Sequence, residues 1–464
     1  RAVDDDAEHL EVVGDLFHRE GDVLVGLQLH LTFQVRVGQF AFLGVAARPQ
    51  LGAQLVAEPA PELFHWPIVT QEDEDAVLDV LRRGAMSGWD VSLQFEQEFA
   101  AWIGSAYGLT FCNGTAALLG AMYGCGIGRG DELIAPSRTY WASVLPVFSL
   151  GGTAVFADVE EHSLCIDPND IEHRITPRTK AIMVVHYCGY PVDMDPIMEI
   201  AERHNLKVIE DVSHAQGGVY KGRKVGTIGH VGAMSMMSGK SFPVGEGGIM
   251  VTDDQEIYER AIAFGFYQRH AEYLTTPELK AAAGLPLGGF KHRLNQTASA
   301  MGRVQLKYYD ERTEKIRAGM NHFRDLLEDT PGLRAHRPPK GSGSHMGGWY
   351  NPIGHYLPEE LGGVPVDRFA EAVNAEGAFC GRGINAPLHL HPVFNDVDIY
   401  HDGVPTRIAF SDRDLRQPQG SLPITEKLDG RVVGVPWFKY DDGERIEAYA
   451  AAFRKVALHA SELL

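Results

Sequence analysis

The chain has 464 residues, 44% hydrophobic and 22% charged, a globular balance that excludes a disordered, collagen-like or coiled-coil protein. Acidic residues outnumber basic ones, 62 to 42, and the resulting net charge of −20 argues against nucleic acid as a general partner. The length suits a large domain with a smaller satellite.

The first pattern along the chain is Leu-Gln-Leu-His-Leu-Thr-Phe-Gln-Val-Arg-Val at residues 27–37, whose strict alternation predicts a half-buried strand. Residues 39–45 would pair with it across Gly38, and the Ala-, Pro- and Gly-rich stretch 46–64 reads as a linker. The first methionine is Met86, so residues 1–65 are expected to be an N-terminal extension of unknown role, or an upstream artefact. Thr70-Gln-Glu-Asp opens a capped helix with apolar positions Val77, Leu78, Val80 and Leu81, and Phe95–Trp102 is a second amphipathic stretch. Short apolar runs at Glu132–Ala135, Thr153–Ala157, Ala181–His186 and Lys207–Ile209 read as buried parallel strands. Helical stretches Thr115–Tyr123, Tyr140–Leu150 and Asp195–His204 sit between them, so a doubly wound α/β sheet is predicted. A long helix is expected around Gln296–Glu328. Past the loose Arg337-Pro-Pro-Lys-Gly-Ser-Gly-Ser run, a mixed α+β stretch continues to Leu464. The expected organisation is therefore a large domain over residues 66–310 and a smaller C-terminal one over 311–464.

Five scattered cysteines, with no CxxC or Cys/His ligand spacing, support neither a disulfide framework nor a zinc site, and no metal is expected. No apolar run approaches the roughly 18 residues of a membrane span, and the start lacks a signal-peptide pattern. A soluble, cytoplasmic protein is expected.

The chemistry concentrates at residues 207–248. An apolar strand ends in Glu210-Asp211, which puts an acid at the carboxyl edge of the sheet. A further short strand, around Val231–Met236, leads to Lys240 and the flexible Gly245-Glu246-Gly247-Gly248. A lysine on a tight turn beside a sheet-edge acid suits pyridoxal phosphate: the amine forms a Schiff base with its aldehyde, and the acid keeps the pyridine nitrogen protonated. Asn113-Gly114-Thr115-Ala116-Ala117 supplies small residues entering a helix, a ready phosphate cradle. Tyr140 or Trp141 could stack on the cofactor ring, and either could equally be core. Gly124-Cys-Gly-Ile-Gly-Arg-Gly follows a helix and precedes a strand, the reverse of a dinucleotide fingerprint, and reads as a loop.

With these motifs the chain from about Pro67 to Val456 resembles the DegT/DnrJ/EryC1/StrS family of sugar and cyclitol aminotransferases, over roughly five-sixths of its length. The matching runs include Asn113-Gly-Thr-Ala-Ala-Leu, Gly130-Asp-Glu-Leu-Ile-Ala-Pro, Val185-His-Tyr-Cys-Gly, Ile209-Glu-Asp-Val-Ser-His-Ala, Gly245-Glu-Gly-Gly and Leu388-His-Leu-His-Pro-Val-Phe. The resemblance implies an α/β fold of type I. Its large domain holds a mostly parallel seven-stranded sheet between helices, with a smaller α+β domain at the C-terminus.

The same resemblance implies that Lys240 is the Schiff-base lysine, Asp211 the acid facing the pyridine nitrogen, and His214 a neighbour of the phenolic oxygen. Ser235, Gly114 and Thr115 would hold the phosphate, and Tyr140 would stack on the ring. His186 would lie near the site, or serve as a buried strand histidine supporting Asp211. His389 and His391 would lie near the substrate mouth. Ser241 departs from the family's Asn after the lysine, and Lys291 stands where a partner subunit offers Asn to the phosphate. The implied reaction moves an amino group from L-glutamate or L-glutamine to a keto-sugar or keto-cyclitol, in a homodimer with shared sites. A pyridoxal-phosphate sugar dehydratase and a non-catalytic ligand-binding member of the same scaffold stay open as alternatives.

Overall fold

In the computed structural model, which describes residues 54–56 and 60–464, the centre of the chain is a seven-stranded sheet; the strand pair expected at 27–45 lies outside the described residues. In chain order its strands are β1 (Tyr107–Phe111), β2 (Glu132–Pro136), β3 (Thr153–Ala157), β4 (Thr179–Val185) and β5 (Lys207–Asp211). A small antiparallel hairpin, β6 (Val219–Tyr220) with β7 (Arg223–Lys224), precedes β8 (Val231–Ser235) and β9 (Gly248–Thr252). The spatial order is β1-β9-β8-β5-β4-β2-β3. Only β9 runs against its neighbours; β8, β5, β4, β2 and β3 pair in parallel. Strands β2 and β3 are buried along their whole length, which is why their sequences read as continuous apolar runs rather than as alternation.

The local signals explain most element ends. Thr70 caps the helix Gln71–Arg82 reciprocally: its Oγ1 accepts the Asp73 N–H, and Asp73 Oδ2 accepts the Thr70 N–H at 2.8 Å. Asn113 Oδ1 accepts the Ala116 N–H at 2.8 Å and starts the helix Gly114–Gly124. The helix expected over Tyr140–Leu150 is instead two 3-10 turns, Trp141–Ser143 and Leu145–Leu150. Pro146 lacks the N–H that an α-helix needs there, and Val144 between the turns is non-helical.

Among the described residues two large hydrophobic cores result, beside a small cluster of Val80, Val91 and Ala300, and the two do not follow a single cut in the chain. The larger surrounds the sheet and also takes Leu388, Phe394, Leu415, Leu422 and Leu428 from the C-terminal region. Gln417 seals the outer edge there, its side chain accepting the Phe156 N–H and donating to the Phe156 carbonyl, as a paired strand would. The smaller core is built on β10 (Leu333–Ala335), β11 (Ile353–Tyr356) and β12 (Val432–Gly434) with the helices Val366–Ala375 and Gly443–Leu458. Ala60 and Leu63, from the stretch expected to be a linker, are buried in this second core. The 31-residue helix Gln296–Leu326 spans the division expected at 310, with Ile316, Met320 and Phe323 in the second core. Among the described residues no helix is long and apolar enough to cross a membrane.

Candidate active site

Strands β1, β2, β4, β5 and β8 point the same way, so the segments leaving their carboxyl ends share one edge of the sheet. Asp211 closes β5 and is 4% exposed. Its Oδ2 accepts Ser143 Oγ at 2.7 Å, and its Oδ1 accepts the Ser213 N–H at 3.0 Å. Glu210, one residue earlier, faces the other side of the strand. Its carboxylate accepts the N–H groups of Gly226, Ile228 and Gly229 at 2.6–2.7 Å, and His186 Nε2 lies 2.9 Å away. Burial alone would raise the Glu210 carboxyl; His186 and the amides outweigh it and hold it below the ordinary range.

The structure does not bring His186 to the site. It is 0% exposed. Nδ1 accepts the Val192 N–H at 3.1 Å, so the proton rests on Nε2, which donates to Glu210 and not to Asp211. Both ring nitrogens are engaged, which leaves no atom for a substrate.

Lys240 lies in the loop between β8 and β9. Its N–H donates to the Met237 carbonyl at 2.8 Å, and its carbonyl accepts Trp66 Nε1 at 2.8 Å. Nζ lies 3.8 Å from the centroid of the Tyr350 ring. Burial pushes the ammonium down to about 8, with the charge of Asp211 and then Cys188 opposing. His214 is buried beside it, its ring 4.9 Å from that of Tyr350. Its Nδ1 accepts the Cys188 N–H at 3.3 Å, which places its proton on Nε2. Burial first, and then the Lys240 charge, hold this imidazole well below its ordinary value and therefore neutral.

Gly114 opens its helix with the first-turn amides of Gly114 and Thr115 outside the Asn113 cap. A Cβ on Gly114 would stand 2.5 Å from Ser235 Cβ, so this helix start and Ser235 touch only because residue 114 has no side chain. The Ser235 N–H donates to Ser213 Oγ at 3.0 Å, and its carbonyl accepts Gln216 Nε2 at 2.7 Å. Tyr140 is half-buried, its ring 4.9 Å from that of Trp141. Lys291 is exposed, next to His292, whose carbonyl accepts the Cys112 N–H just ahead of the Gly114 helix.

His389 and His391 lie in the segment 388–395, which meets Ser137 just past the end of β2. His389 is fully buried, with Nδ1 2.7 Å from Ser137 Oγ and Nε2 3.1 Å from Glu426 Oε1. His391 caps the helix Pro392–Asn395, accepting the Val393 N–H. Residues to which the motifs assigned no role also line the site: Ser143 and Ser213 on Asp211, Tyr350 on Lys240, and Cys188 beneath His214. Ser241, the departure after the lysine, is fully buried, donates to Gln216 Oε1 at 2.6 Å and accepts Tyr309 OH at 3.0 Å.

Residues 67–434 match the DegT/DnrJ/EryC1/StrS aminotransferase family. The chain belongs to that family. It is 31% identical over 421 residues to the L-glutamine:2-deoxy-scyllo-inosose aminotransferase of Streptoalloteichus tenebrarius, covering 86% of this chain and 96% of that one. It is likewise 31% identical to the L-glutamine:scyllo-inosose aminotransferase of Streptomyces griseus, over 89% of this chain and all of that one. The X-ray structure of an aminotransferase from Psychrobacter cryohalolentis superposes with a TM-score of 0.74 at 30% identity, covering 86% of this chain and 100% of that one.

This DegT/DnrJ/EryC1/StrS member is a fold type I, pyridoxal-phosphate-dependent aminotransferase. The residues present fit the cofactor: a helix start beside Ser235 for a phosphate, a buried carboxylate for a ring nitrogen, and a half-buried amine of lowered basicity for an aldehyde.

Proposed function

We propose that this enzyme transfers the amino group of L-glutamine or L-glutamate to a keto-cyclitol of the inosose type. The observation that carries the chemistry is Lys240, half-buried beside the Tyr350 ring, its amine lowered to about 8 by burial against the opposing charge of Asp211. The substrate class is supported by relatives named for L-glutamine and for scyllo-inososes at 31% identity over nearly the whole of each chain.

When bound, pyridoxal phosphate supplies an aldehyde that captures an amine and a ring that accepts an electron pair from the neighbouring carbon. In this reading Gly114, Thr115 and Ser235 bind the phosphate through first-turn amides and hydroxyls. Asp211, fixed by Ser143 and Ser213, holds a proton on the ring nitrogen. His214 Nε2 donates to the phenolic oxygen, its neutral tautomer set by the Cys188 N–H. Tyr140 covers the ring face. Lys240 Nζ takes a proton from the donor carbon and would deliver it to the carbon that bore the cofactor's aldehyde, a task suited to an amine lowered to about 8.

We also propose that the enzyme works as a homodimer, with Lys291 reaching the partner's phosphate. The exposed apolar residues Leu285, Leu287 and Phe290 beside Lys291 support this face as the contact. A cytoplasmic location is supported by five cysteines that are all unpaired.

The test is the visible spectrum of the purified full chain with pyridoxal phosphate, before and after L-glutamine, followed by addition of 2-deoxy-scyllo-inosose. A band that L-glutamine converts and the inosose restores, with aminated product, supports the reading. Conversion by L-glutamine with restoration only by a nucleotide-linked keto-sugar would overturn the acceptor, and no band at all would overturn the cofactor assignment.

A further inference from the structure

The catalytic lysine is held at both ends by one aromatic block that neither the fold class nor the motif pattern announces. Trp66 Nε1 binds the Lys240 carbonyl at 2.8 Å, and the Tyr350 ring faces Nζ at 3.8 Å, inside the range of a cation–π contact. Trp66 lies 5.8 Å from Trp437, and Trp437 meets Tyr350 edge to face, with ring centroids 6.1 Å apart at 89°. Trp437 Nε1 also donates to the Gly348 carbonyl at 3.0 Å, and the Lys439 ammonium caps its ring at 2.9 Å.

The segment that delivers Tyr350 is shaped for this position. A Cβ on Gly347 would stand 2.1 Å from the Gln216 carbonyl oxygen, and one on Gly348 would stand 2.0 Å from Ser241 Cβ. Gly348 therefore lets the chain press against Ser241, the residue that follows Lys240, and Gly347 lets it press against Gln216. Trp349 and Asn351, on either side of Tyr350, have φ of 58° and 52°, left-handed values that a side chain disfavours. Asn351 Nδ2 reaches the Gly383 carbonyl at 3.4 Å and Cys188 Sγ at 3.9 Å, which anchors the far side. Strain of this kind persists only where the surroundings impose it.

We propose that Tyr350 is the rest for the Lys240 amine: whenever Nζ is not covalently engaged, the ring face holds it oriented for proton transfer. This rests on the aminotransferase reading above and adds a positioning residue to it. The other groups that face Nζ are Asp211 from β5, Cys188 from the turn after β4, and neutral His214. Asp211 also favours the charged amine, so the ring's share must be measured against it. Tyr350 keeps its own proton, because burial raises its hydroxyl, and so acts through its face and not as an anion.

The test compares Tyr350→Phe and Tyr350→Leu in the full chain. Without added cofactor, acetylation of Lys240 by acetic anhydride is followed by peptide mass against pH. The ring stabilises the ammonium, so Tyr350→Leu lowers the midpoint and raises Lys240 acetylation at pH 7 about tenfold, while Tyr350→Phe stays within about twofold of wild type. In the holoenzyme Tyr350→Leu lowers kcat about tenfold with KM little changed, and Tyr350→Phe restores it. An unchanged acetylation midpoint in Tyr350→Leu would overturn the proposal, as would a Phe variant that moves as far as the Leu variant. If Tyr350→Leu does not fold, Tyr350→Met carries the same comparison. Failure of the parent reading shows separately, as absence of the cofactor band in wild type, and leaves the acetylation result standing by itself.

Discussion

Glu210 and Asp211 are consecutive in β5 and serve opposite ends. Glu210 turns into the core, where three backbone amides and His186 donate to it, and Asp211 turns toward Lys240, held by Ser143 and Ser213. The two-residue period of a strand makes this division unavoidable: two adjacent acids cannot share a face. One carboxylate stabilises the edge on which the proposed function places the other's chemistry.

Exchanging each acid for its amide should therefore separate the two roles. Glu210→Gln sets an NH2 against amide donors and leaves them unpaired, at a cost of about 3 kcal/mol in stability, read as a lower thermal midpoint. Asp211→Asn should melt close to wild type and lose roughly a hundredfold or more in kcat. A Glu210→Gln protein that is as stable as wild type but inactive would contradict this assignment.

Burial lowers Lys240 from its ordinary 10.5 to about 8. Between those values the unfolded chain binds the proton that the folded chain has released, so stability rises with pH across this window. Below about 8 the full cost of holding a charged amine is present. Lys240→Met should thus stabilise the cofactor-free protein at pH 7 by on the order of 2 kcal/mol, an amount discounted for the residual exposure of the side chain. The gain should fade above pH 10, as measured by denaturant unfolding at several pH values.

Gly114→Ala tests the cradle. The added methyl would meet Ser235 Cβ at 2.5 Å, and the helix start must retreat from the serine. An overlap of this size costs about 1–3 kcal/mol, which predicts cofactor affinity weaker by roughly ten- to a hundredfold in a titration of the cofactor-free protein.

His389 was expected at the substrate mouth and is found as a buried bridge from Ser137 to Glu426. His389→Ala would leave both partners unsatisfied and open a cavity, costing about 2–3 kcal/mol of stability. KM for the acceptor should hold, whereas a selective rise in KM would return His389 to the substrate site.

Much of the α/β frame was legible because its strands are short, apolar and separated by helices of the other period. Thr153–Ala157 matches the expected run residue for residue, and the capping of Thr70 by Asp73 follows from four consecutive residues. The failures have two different causes. At Tyr140–Leu150 the periodic signal was outweighed by the single proline that breaks it. At 60–64 a composition typical of linkers hid Leu63, whose burial depends on a core assembled from the opposite end of the chain.

The sequence by itself determined the chain order of the candidate site: a helix-capping Asn-Gly-Thr, an acid pair at the end of β5 and a lysine past β8, together with the family to which they belong. Local rules suffice for these, because caps, strand ends and turns are made within a few residues. Only the tertiary structure decided that Glu210 is held by the amides of Gly226, Ile228 and Gly229 and that His186 serves it. Only it seated Tyr350, some 110 residues downstream of Lys240, against the amine. Those choices depend on which faces of distant segments meet, and the packing of two cores sets that where no local pattern can.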